Sequence, residues 1–266
     1  MQSKDFFSKE DILEGVARKE FEVYYQPIVN SAKNSVVAGE ALVRWNHPER
    51  GLLHPGAFID IAERTGAIIE LGEYVLLEAC RQSKEWKESG HSFHKVSVNL
   101  SLVQLSDKQF INKVFYILRE TGIFPEDLEI EVTESTAIYD PEVTRNTLTQ
   151  LKGIGVHIVL DDFGTGYSGL SHLGHLPIGG IKIDKMFVWQ SMKSEWDANL
   201  LRSIILFARS LGLHLVAEGV ETEEQLEQVK RMGCECVQGF YYTHPLPAKE
   251  YVEWCELYKM HPSLQR

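Results

Sequence analysis

Short apolar strands and amphipathic helices alternate along almost the whole chain, and this order restricts the fold more than any other feature. Eight segments are short, apolar and rich in branched residues, as β-strands are. They are residues 21–29, 35–45, 95–101, 128–135, 157–163, 181–184, 214–220 and 236–240. The helical segments between most of them end at glycines, which favour helix termini. Such alternation predicts parallel strands joined by crossover helices.

Eight strands in a chain of 266 residues predict an α/β fold, a TIM-like (β/α)8 barrel. Residues 30–34 have the composition of a turn, so the first two strands are expected to form a hairpin and the first strand to run antiparallel. The alternative is an open doubly wound sheet. That fold usually has a glycine-rich phosphate loop after its first strand, and none follows residues 21–29. We expect one domain over residues 21–266, preceded by a lead-in helix or linker over residues 1–20.

Polar side chains stand at or near the carboxyl end of seven of the strands. They are Glu40, Asn99, Glu131 with Glu134, Asp161 with Asp162, Lys182 with Asp184, Glu218 with Glu221, and Gln238. A single Asp after a strand is usually a turn former or a helix cap. The same placement in seven strands predicts a shared site, because the carboxyl ends of barrel strands surround the mouth where active sites lie.

Several carboxylates at one mouth repel one another and require cations. Lys182 and Arg44 are too few, so the pattern predicts divalent metal. Carboxylates and an Asn carbonyl are hard oxygen ligands that suit Mg²⁺, Mn²⁺ or Ca²⁺, and the lack of His or Cys in the set disfavours zinc. The adjacent Asp161 and Asp162 suit two metals that share a ligand, an arrangement used in phosphoester hydrolysis.

The charge balance and the apolar runs narrow the possible partners. The net charge is −11, with 27 basic and 38 acidic residues, which disfavours binding of duplex nucleic acid through a basic surface. No apolar run reaches the roughly 18 residues of a membrane span, and the first residues have no signal-peptide pattern. The four scattered cysteines are expected to be reduced thiols. We therefore expect a cytoplasmic location and no membrane contact by this segment.

The motifs around these residues resemble one family closely. They are EAL (40–42), YQPI (25–28), VNLS (98–101), EVTES (131–135), DDFGTGYSGLSHL (161–173), IKIDKMFV (181–188), AEGVET (217–222) and QGFYYTHPLP (238–247). In this order they resemble the EAL-domain phosphodiesterases, which hydrolyse the bacterial messenger cyclic di-GMP. The resemblance covers roughly residues 21 to 256.

The resemblance implies two-metal hydrolysis of cyclic di-GMP to linear 5′-pGpG with Mg²⁺ or Mn²⁺, and inhibition by Ca²⁺. The implied metal ligands are Glu40, Asn99, Glu131, Asp161, Asp162 and Glu218. Lys182 is expected to orient or help deprotonate the attacking water and Gln238 to hold a water of the metal shell, so Glu40, Lys182, Glu218 and Gln238 form the implied catalytic set. Arg44 is expected to contact a substrate phosphate. The groove residues implied are Gln26, Leu42, Asp184, Glu221 and Pro245.

The resemblance also implies a regulatory loop and a homodimer, and two alternative functions remain open. Glu134 is expected to anchor the loop after Asp162, and a homodimer is expected with that loop near its interface. Departures from the family pattern are Gly169, Gly179–Gly180 and Phe240, which bear on loop and dimer control rather than on the ligands. The main alternative is a catalytically weak domain that only senses cyclic di-GMP. A glycosidase with two carboxylates is a second alternative, although it does not require Asn99 and Lys182.

Overall fold

The computed structural model describes residues 7–93, 95–134, 136, 141–164 and 176–261. Its strands are β1 (Phe21–Asn30), β2 (Ser35–His47), β3 (Gly51–Leu53), β4 (Val96–Leu100), β5 (Leu128–Thr133), β6 (His157–Phe163), β7 (Gly180–Ile183), β8 (His214–Ala217), β9 (Cys236–Val237) and β10 (Leu246–Pro247). Its helices are α1 (Lys9–Ala17), α2 (Ile59–Thr65), α3 (Ile68–Glu88), α4 (Leu102–Leu105), α5 (Phe110–Thr121), α6 (Pro141–Ile154), α7 (Lys185–Ser191), α8 (Glu195–Ser210), α9 (Glu223–Arg231) and α10 (Ala248–Met260).

Eight of the strands close into a barrel in the order β1-β2-β4-β5-β6-β7-β8-β9, and β9 pairs back with β1. The strands from β2 to β9 in this ring run parallel. Strand β1 is antiparallel to both of its neighbours. The predicted TIM-like barrel with an antiparallel first strand is therefore confirmed. Strands β3 and β10, which the sequence did not predict, extend the sheet beside β2 and β1.

Short turns and side-chain caps set where several helices begin. A separate 3₁₀ turn over Pro55–Ala57 precedes α2, which begins only at Ile59. The short helices α4 and α7 were not predicted. Each starts at a side-chain cap, Ser101 for α4 and Asp184 for α7, which accepts a backbone N–H of the first turn. Helices of four to seven residues give too little periodicity to be recognised from the sequence alone.

The apolar core fills the space between the barrel and its helices. An aromatic cluster of Tyr25, Trp86, Phe93 and Tyr251 joins β1 to α3 and α10, with ring centroids 4.8–6.2 Å apart. Helix α1 lies against the same domain through the buried Ile12. Among the described residues, no helix combines the length and the apolar character needed to cross a membrane.

Gly239 lies where two backbone segments come too close for any side chain. A Cβ atom at this position would be 2.1 Å from the Val220 carbonyl oxygen and 2.4 Å from the Val220 nitrogen. We expect Gly239→Ala to lower the free energy of unfolding by about 3 kcal/mol, since the clash is with backbone that is itself hydrogen-bonded. Urea unfolding would measure the change. Gly153→Ala is the control, because nothing lies within 4 Å of its Cβ position in α6, and equal stability of the two variants would contradict this prediction.

Candidate active site

Lys182, on β7, is the centre of the polar cluster at the carboxyl ends of the strands. Its side chain is only 1% exposed. Its Nζ atom lies 2.7 Å from Glu218 Oε1, 2.9 Å from Glu131 Oε2, 3.0 Å from Glu40 Oε2 and 3.9 Å from Asp161 Oδ1. The four carboxylates come from different strands or strand ends around the barrel. They hold the pKa of Lys182 well above its usual value, although burial alone would lower it.

Glu40, on β2, is held in one orientation by amide groups. Asn99 Nδ2 donates to its Oε1 at 2.8 Å, and Gln238 Nε2 donates to its Oε2 at 2.6 Å. Burial acts to raise the pKa of Glu40, but the Lys182 charge and these hydrogen bonds hold it below its ordinary value. Gln238 Nε2 is also 3.2 Å from Gln26 Oε1, and Gln26 in turn donates to the Thr243 carbonyl at 3.1 Å.

Ser97, on β4, is a member of the cluster that the sequence did not single out. Its hydroxyl is fully buried and donates to Glu131 Oε1 at 2.6 Å. The same hydroxyl is 3.2 Å from Glu129 Oε1. The signal in the sequence was the period of a strand, since Ser97 precedes Asn99 by two residues and therefore faces the same side. The sequence around Ser97 did not indicate that its hydroxyl would contact Glu131.

Asp161, Asp162 and Glu218 form a group that could hold a metal ion. One carboxylate oxygen from each lies within 4.8 Å of the others. Successive side chains of a strand normally point to opposite faces. Here the pairing of β6 with β7 shifts register between Leu160 and Phe163, and Asp162 has a positive φ of 53°, so both aspartates face the mouth.

The chemistry of this group fits a divalent cation. Burial, followed by neighbouring carboxylates, raises the pKa of Asp162, and burial raises the pKa of Glu218 to about 8 even though Lys182 opposes the shift. The pKa of Asp161 is also raised, first by burial. Gln238 Oε1 is buried without a hydrogen-bond partner among the described residues, which leaves an acceptor for a donor held in the site. A hard cation would offset the negative charge that Lys182 leaves uncompensated.

The structure separates the six predicted ligands into two groups. Asp161, Asp162 and Glu218 form the acidic triad described above. Glu40, Asn99 and Glu131 lie on the other strands of the cluster, where Lys182 contacts the two carboxylates and Asn99 contacts Glu40. Lys182 thus lies between both groups and contacts members of each.

The residues predicted to contact substrate lie around this cluster. Gln26, Leu42 and Arg44 share its side of the β1–β2 hairpin, since Gln26 pairs with Glu40 and the two other residues follow Glu40 at strand spacing. Arg44 is buried, donates to the Val43 carbonyl at 2.9 Å and lies over the Tyr24 ring at 5.4 Å. Asp184 caps α7 through the Met186 N–H at 2.9 Å.

Two further predicted groove residues, Glu221 and Pro245, lie in segments that connect the strands to other elements. Glu221 is exposed after β8, and its backbone N–H donates to Gln225 Oε1 at 2.7 Å. Pro245 immediately precedes β10, which pairs with β1. The structure gives neither residue a direct contact with the Lys182 cluster among the hydrogen bonds of the described chain.

Glu134, the predicted loop anchor, is buried and accepts the Gly164 N–H at 2.8 Å. This contact ties the end of β5 to the first turn after Asp162. Gly169 and the rest of residues 165–175 lie outside the described residues. Phe240 is half exposed and packs on His244, with a centroid separation of 3.9 Å.

Comparison with known proteins identifies the family. The family model described as "EAL domain" matches residues 9–245. MucR of Pseudomonas aeruginosa, named a bifunctional diguanylate cyclase/cyclic di-GMP phosphodiesterase, is 41% identical over 240 residues, 90% of this chain and 35% of the relative. The cyclic di-GMP phosphodiesterase PdeR of Escherichia coli is 37% identical over 236 residues, 89% of this chain and 35% of the relative. The chain thus spans about a third of the length of these curated relatives.

Solved structures agree with this result. The structure described as "PaMucR Phosphodiesterase, c-di-GMP complex" is similar with a TM-score of 0.87 and 41% identity, covering 91% of this chain and 98% of that chain. The structure of the EAL enzyme Bd1971 in its cGMP-bound form has a TM-score of 0.87 and 29% identity, covering 93% of this chain and 68% of that chain. The family predicted from the motifs is confirmed, and the chain belongs to the EAL domain family.

Proposed function

We propose that this chain hydrolyses cyclic di-GMP to linear 5′-pGpG with two Mg²⁺ or Mn²⁺ ions. The observation that carries the proposal is the buried cluster in which Lys182 contacts four carboxylates, two of which belong to the acidic triad. Two relatives named as cyclic di-GMP phosphodiesterases, MucR and PdeR, support the choice of substrate. The assay is direct: purified protein, cyclic di-GMP and Mg²⁺ or Mn²⁺, with the products separated by chromatography.

The proposed metal ligands are Glu40, Asn99, Glu131, Asp161, Asp162 and Glu218. Divalent metals in such sites polarise phosphoryl oxygens and make water nucleophilic near neutral pH. Lys182 lies within 3.0 Å of three of these carboxylates, where an ammonium stabilises negative charge that develops at phosphorus and on the attacking oxygen. Gln238 orients Glu40 through Nε2, and its unpartnered Oε1 can accept a hydrogen bond from a water of the site.

Arg44, Gln26 and Leu42 would hold the substrate against the β1–β2 hairpin. Arg44 has a planar guanidinium that suits a phosphate oxygen pair. The proposed groove is completed by Asp184 after β7, Glu221 after β8 and Pro245 before β10. Glu134 would keep the turn after Asp162 in place through its bond to Gly164.

The sensor and glycosidase alternatives make different demands on the site. A sensor needs the groove but not a full ligand set, whereas all six proposed ligands are present in this chain. A glycosidase needs one pair of carboxylates at a fixed separation, and it has no use for an ammonium surrounded by four carboxylates. Formation of linear 5′-pGpG in the chromatographic assay separates the proposed hydrolase from both alternatives.

Metal dependence is the first expected result. Activity should require Mg²⁺ or Mn²⁺ and be lost on addition of EDTA. The carboxylates of the acidic triad are anionic and cannot replace the metal as a Lewis acid. Ca²⁺ should support substrate binding but little turnover, since it holds its ligands loosely and activates water poorly. Initial rates after metal removal and re-addition measure this. Full activity in metal-free buffer would contradict the mechanism.

Ser97→Ala tests the support of Glu131. The variant removes the 2.6 Å hydrogen bond to Glu131 Oε1, so the carboxylate loses one of its two anchors. We expect kcat to fall about tenfold, the effect of a hydrogen bond to a charged group, with KM changed little. Ser97→Thr keeps the hydroxyl and should restore most of the rate. A Ser97→Ala enzyme with wild-type kcat would show that this bond does not position Glu131.

Three further expectations of the sequence analysis remain proposals. We expect a homodimer, a cytoplasmic location and a lead-in role for residues 1–20 before the domain at residues 21–266. Helix α1 lies within that first segment and packs on the domain through Ile12. Light scattering of the purified protein tests the dimer, and a monomer at working concentrations would contradict it.

A further inference from the structure

A cavity of about 510 Å³ lies at the end of the barrel opposite the Lys182 cluster. Its lining includes residues at the amino-terminal starts of four strands, His157 of β6, Gly179 before β7, His214 of β8 and Cys236 of β9. Asn30, at the last position of the antiparallel β1, lies beside them. The volume is in the range of small-molecule sites, which is roughly 300–1,000 Å³.

The inner wall of this cavity is apolar. Ile28, Ile158 and Leu215 line it and belong to the buried core. Gly179 leaves part of the wall without a side chain, although a Cβ atom there would meet only the Ile158 carbonyl oxygen at 3.8 Å. A side chain would therefore fit at Gly179, and its absence keeps the cavity open. The apolar wall can receive the rings or the aliphatic part of a ligand.

The outer part of the cavity carries cations without acidic partners. Lys33, Lys95 and Arg209 line it, and none of them forms an ion pair within 4.0 Å with a described carboxylate. Gly233, with φ of 92°, makes room for one of them, because a Cβ atom there would lie 2.3 Å from Arg209 Nη1. With three cations and two carboxylates, the lining has a small excess of positive charge in a chain with a net charge of −11.

Two carboxylates also line the cavity. Asn30 Nδ2 lies 3.5 Å from Glu235 Oε2, and Glu129 Oε1 lies 3.2 Å from the Ser97 hydroxyl, which donates its proton to Glu131 instead. The lining therefore combines an apolar wall, two carboxylates and three cations that form no ion pair with a described residue. An occupant that matches this pattern has an apolar body and a negatively charged group.

We propose that this cavity is a second ligand site, separate from the cyclic di-GMP mouth, for a small organic anion. The apolar body packs on Ile28, Ile158 and Leu215, and the anionic group interacts with the cationic side of the cavity, which includes Lys95 and Arg209. The ligand class is a phosphate, sulfonate or carboxylate on a ring or chain of about one nucleotide's size. The proposed site lies at the end of the barrel opposite the Lys182 cluster, and its existence does not depend on the proposed hydrolysis.

Two fluorescent probes with the same aromatic body test the charge requirement. 8-Anilinonaphthalene-1-sulfonate carries the anionic group, and N-phenyl-1-naphthylamine lacks it. We expect the double variant Lys95→Ala/Arg209→Ala to bind the sulfonate about tenfold more weakly, from lost charge-assisted contacts, and the neutral probe as wild type does. Lys259→Ala, at an exposed position on α10, is the control and should bind both probes normally.

Two further experiments show where on the protein the probe binds. Gly179→Leu places a side chain on the cavity wall and should weaken both probes, without the charge selectivity of the double variant. Saturating cyclic di-GMP with Ca²⁺ occupies the mouth and should leave sulfonate binding unchanged. Equal sulfonate affinity in wild type, double variant and Gly179→Leu would overturn the inference, as would displacement of the probe by cyclic di-GMP. A protein that fails to hydrolyse cyclic di-GMP but passes the variant arms would lose the proposed function and keep this site.

Discussion

Glu40→Ala is expected to reduce kcat for cyclic di-GMP by about three orders of magnitude, a loss of about 4 kcal/mol of transition-state stabilisation. Glu40 is both a proposed metal ligand and a direct contact of Lys182, at 3.0 Å. Its removal therefore disturbs the metal site and the orientation of the ammonium together. Substrate affinity should fall much less, because Gln26, Leu42 and Arg44 remain on the hairpin. Single-turnover hydrolysis and calorimetry in Ca²⁺ separate the two effects.

The Glu40→Ala barrel is expected to remain folded. Lys182 keeps Glu131 and Glu218 within 2.9 Å, so no buried charge is left without a partner. Asn99 and Gln238 lose an acceptor, at a cost of about 1–3 kcal/mol, which is smaller than the typical stability of a domain. Glu253→Ala, exposed on α10, is the matched control and should change neither rate nor stability. A Glu40→Ala protein that unfolds would show that Glu40 is chiefly structural.

The sequence was sufficient to predict the strands of the barrel and the polar residues at their carboxyl ends. Apolar runs, helix-ending glycines and the hairpin turn are local signals, and they predicted eight barrel strands with the first one antiparallel. The same signals placed Glu40, Lys182 and Glu218 at one mouth. This works because parallel barrel strands share one carboxyl end.

Contacts within the mouth could not be predicted in this way. The distances of Lys182 to four carboxylates depend on how four strands are registered against one another, which is set by tertiary pairing. The shared direction of Asp161 and Asp162 depends on a register shift and a positive φ that no local composition signals. Ser97 was missed for a related reason, since its partner Glu131 is on the next strand.

The cavity at the amino-terminal end of the barrel could not be predicted from the sequence either. Lys33, Lys95 and Arg209 come from three distant segments, and only the closed barrel brings them to one cavity. Gly179 is a departure from the family pattern, but only the fold shows that it lines a cavity wall where a side chain would fit.

Lys182 and Arg44 are both cations of the site, yet their surroundings predict different roles. Lys182 is buried among carboxylates proposed to bind the metals. Arg44 lies farther along β2, has no ion pair within 4.0 Å among the described residues and contacts the Val43 carbonyl and the Tyr24 ring. An ammonium fixed by carboxylates can act on charge that develops in the transition state, whereas a guanidinium without an acidic partner is free to bind a ground-state phosphate.

Lys182→Met and Arg44→Ala should therefore fail in different ways. Lys182→Met keeps most of the unbranched side chain without its charge, and we expect kcat to fall about 10²–10³-fold with affinity changed little, as when a preorganised donor is removed. Arg44→Ala should weaken cyclic di-GMP binding about tenfold, a loss of about 1.4 kcal/mol, with kcat nearly intact. Steady-state kinetics and calorimetry in Ca²⁺ measure both quantities. Because Lys182→Met leaves four carboxylates without their cation, its melting temperature should rise more with added Mn²⁺ than that of wild type. Loss of affinity with an unchanged kcat in Lys182→Met would reverse the assignment of the two residues.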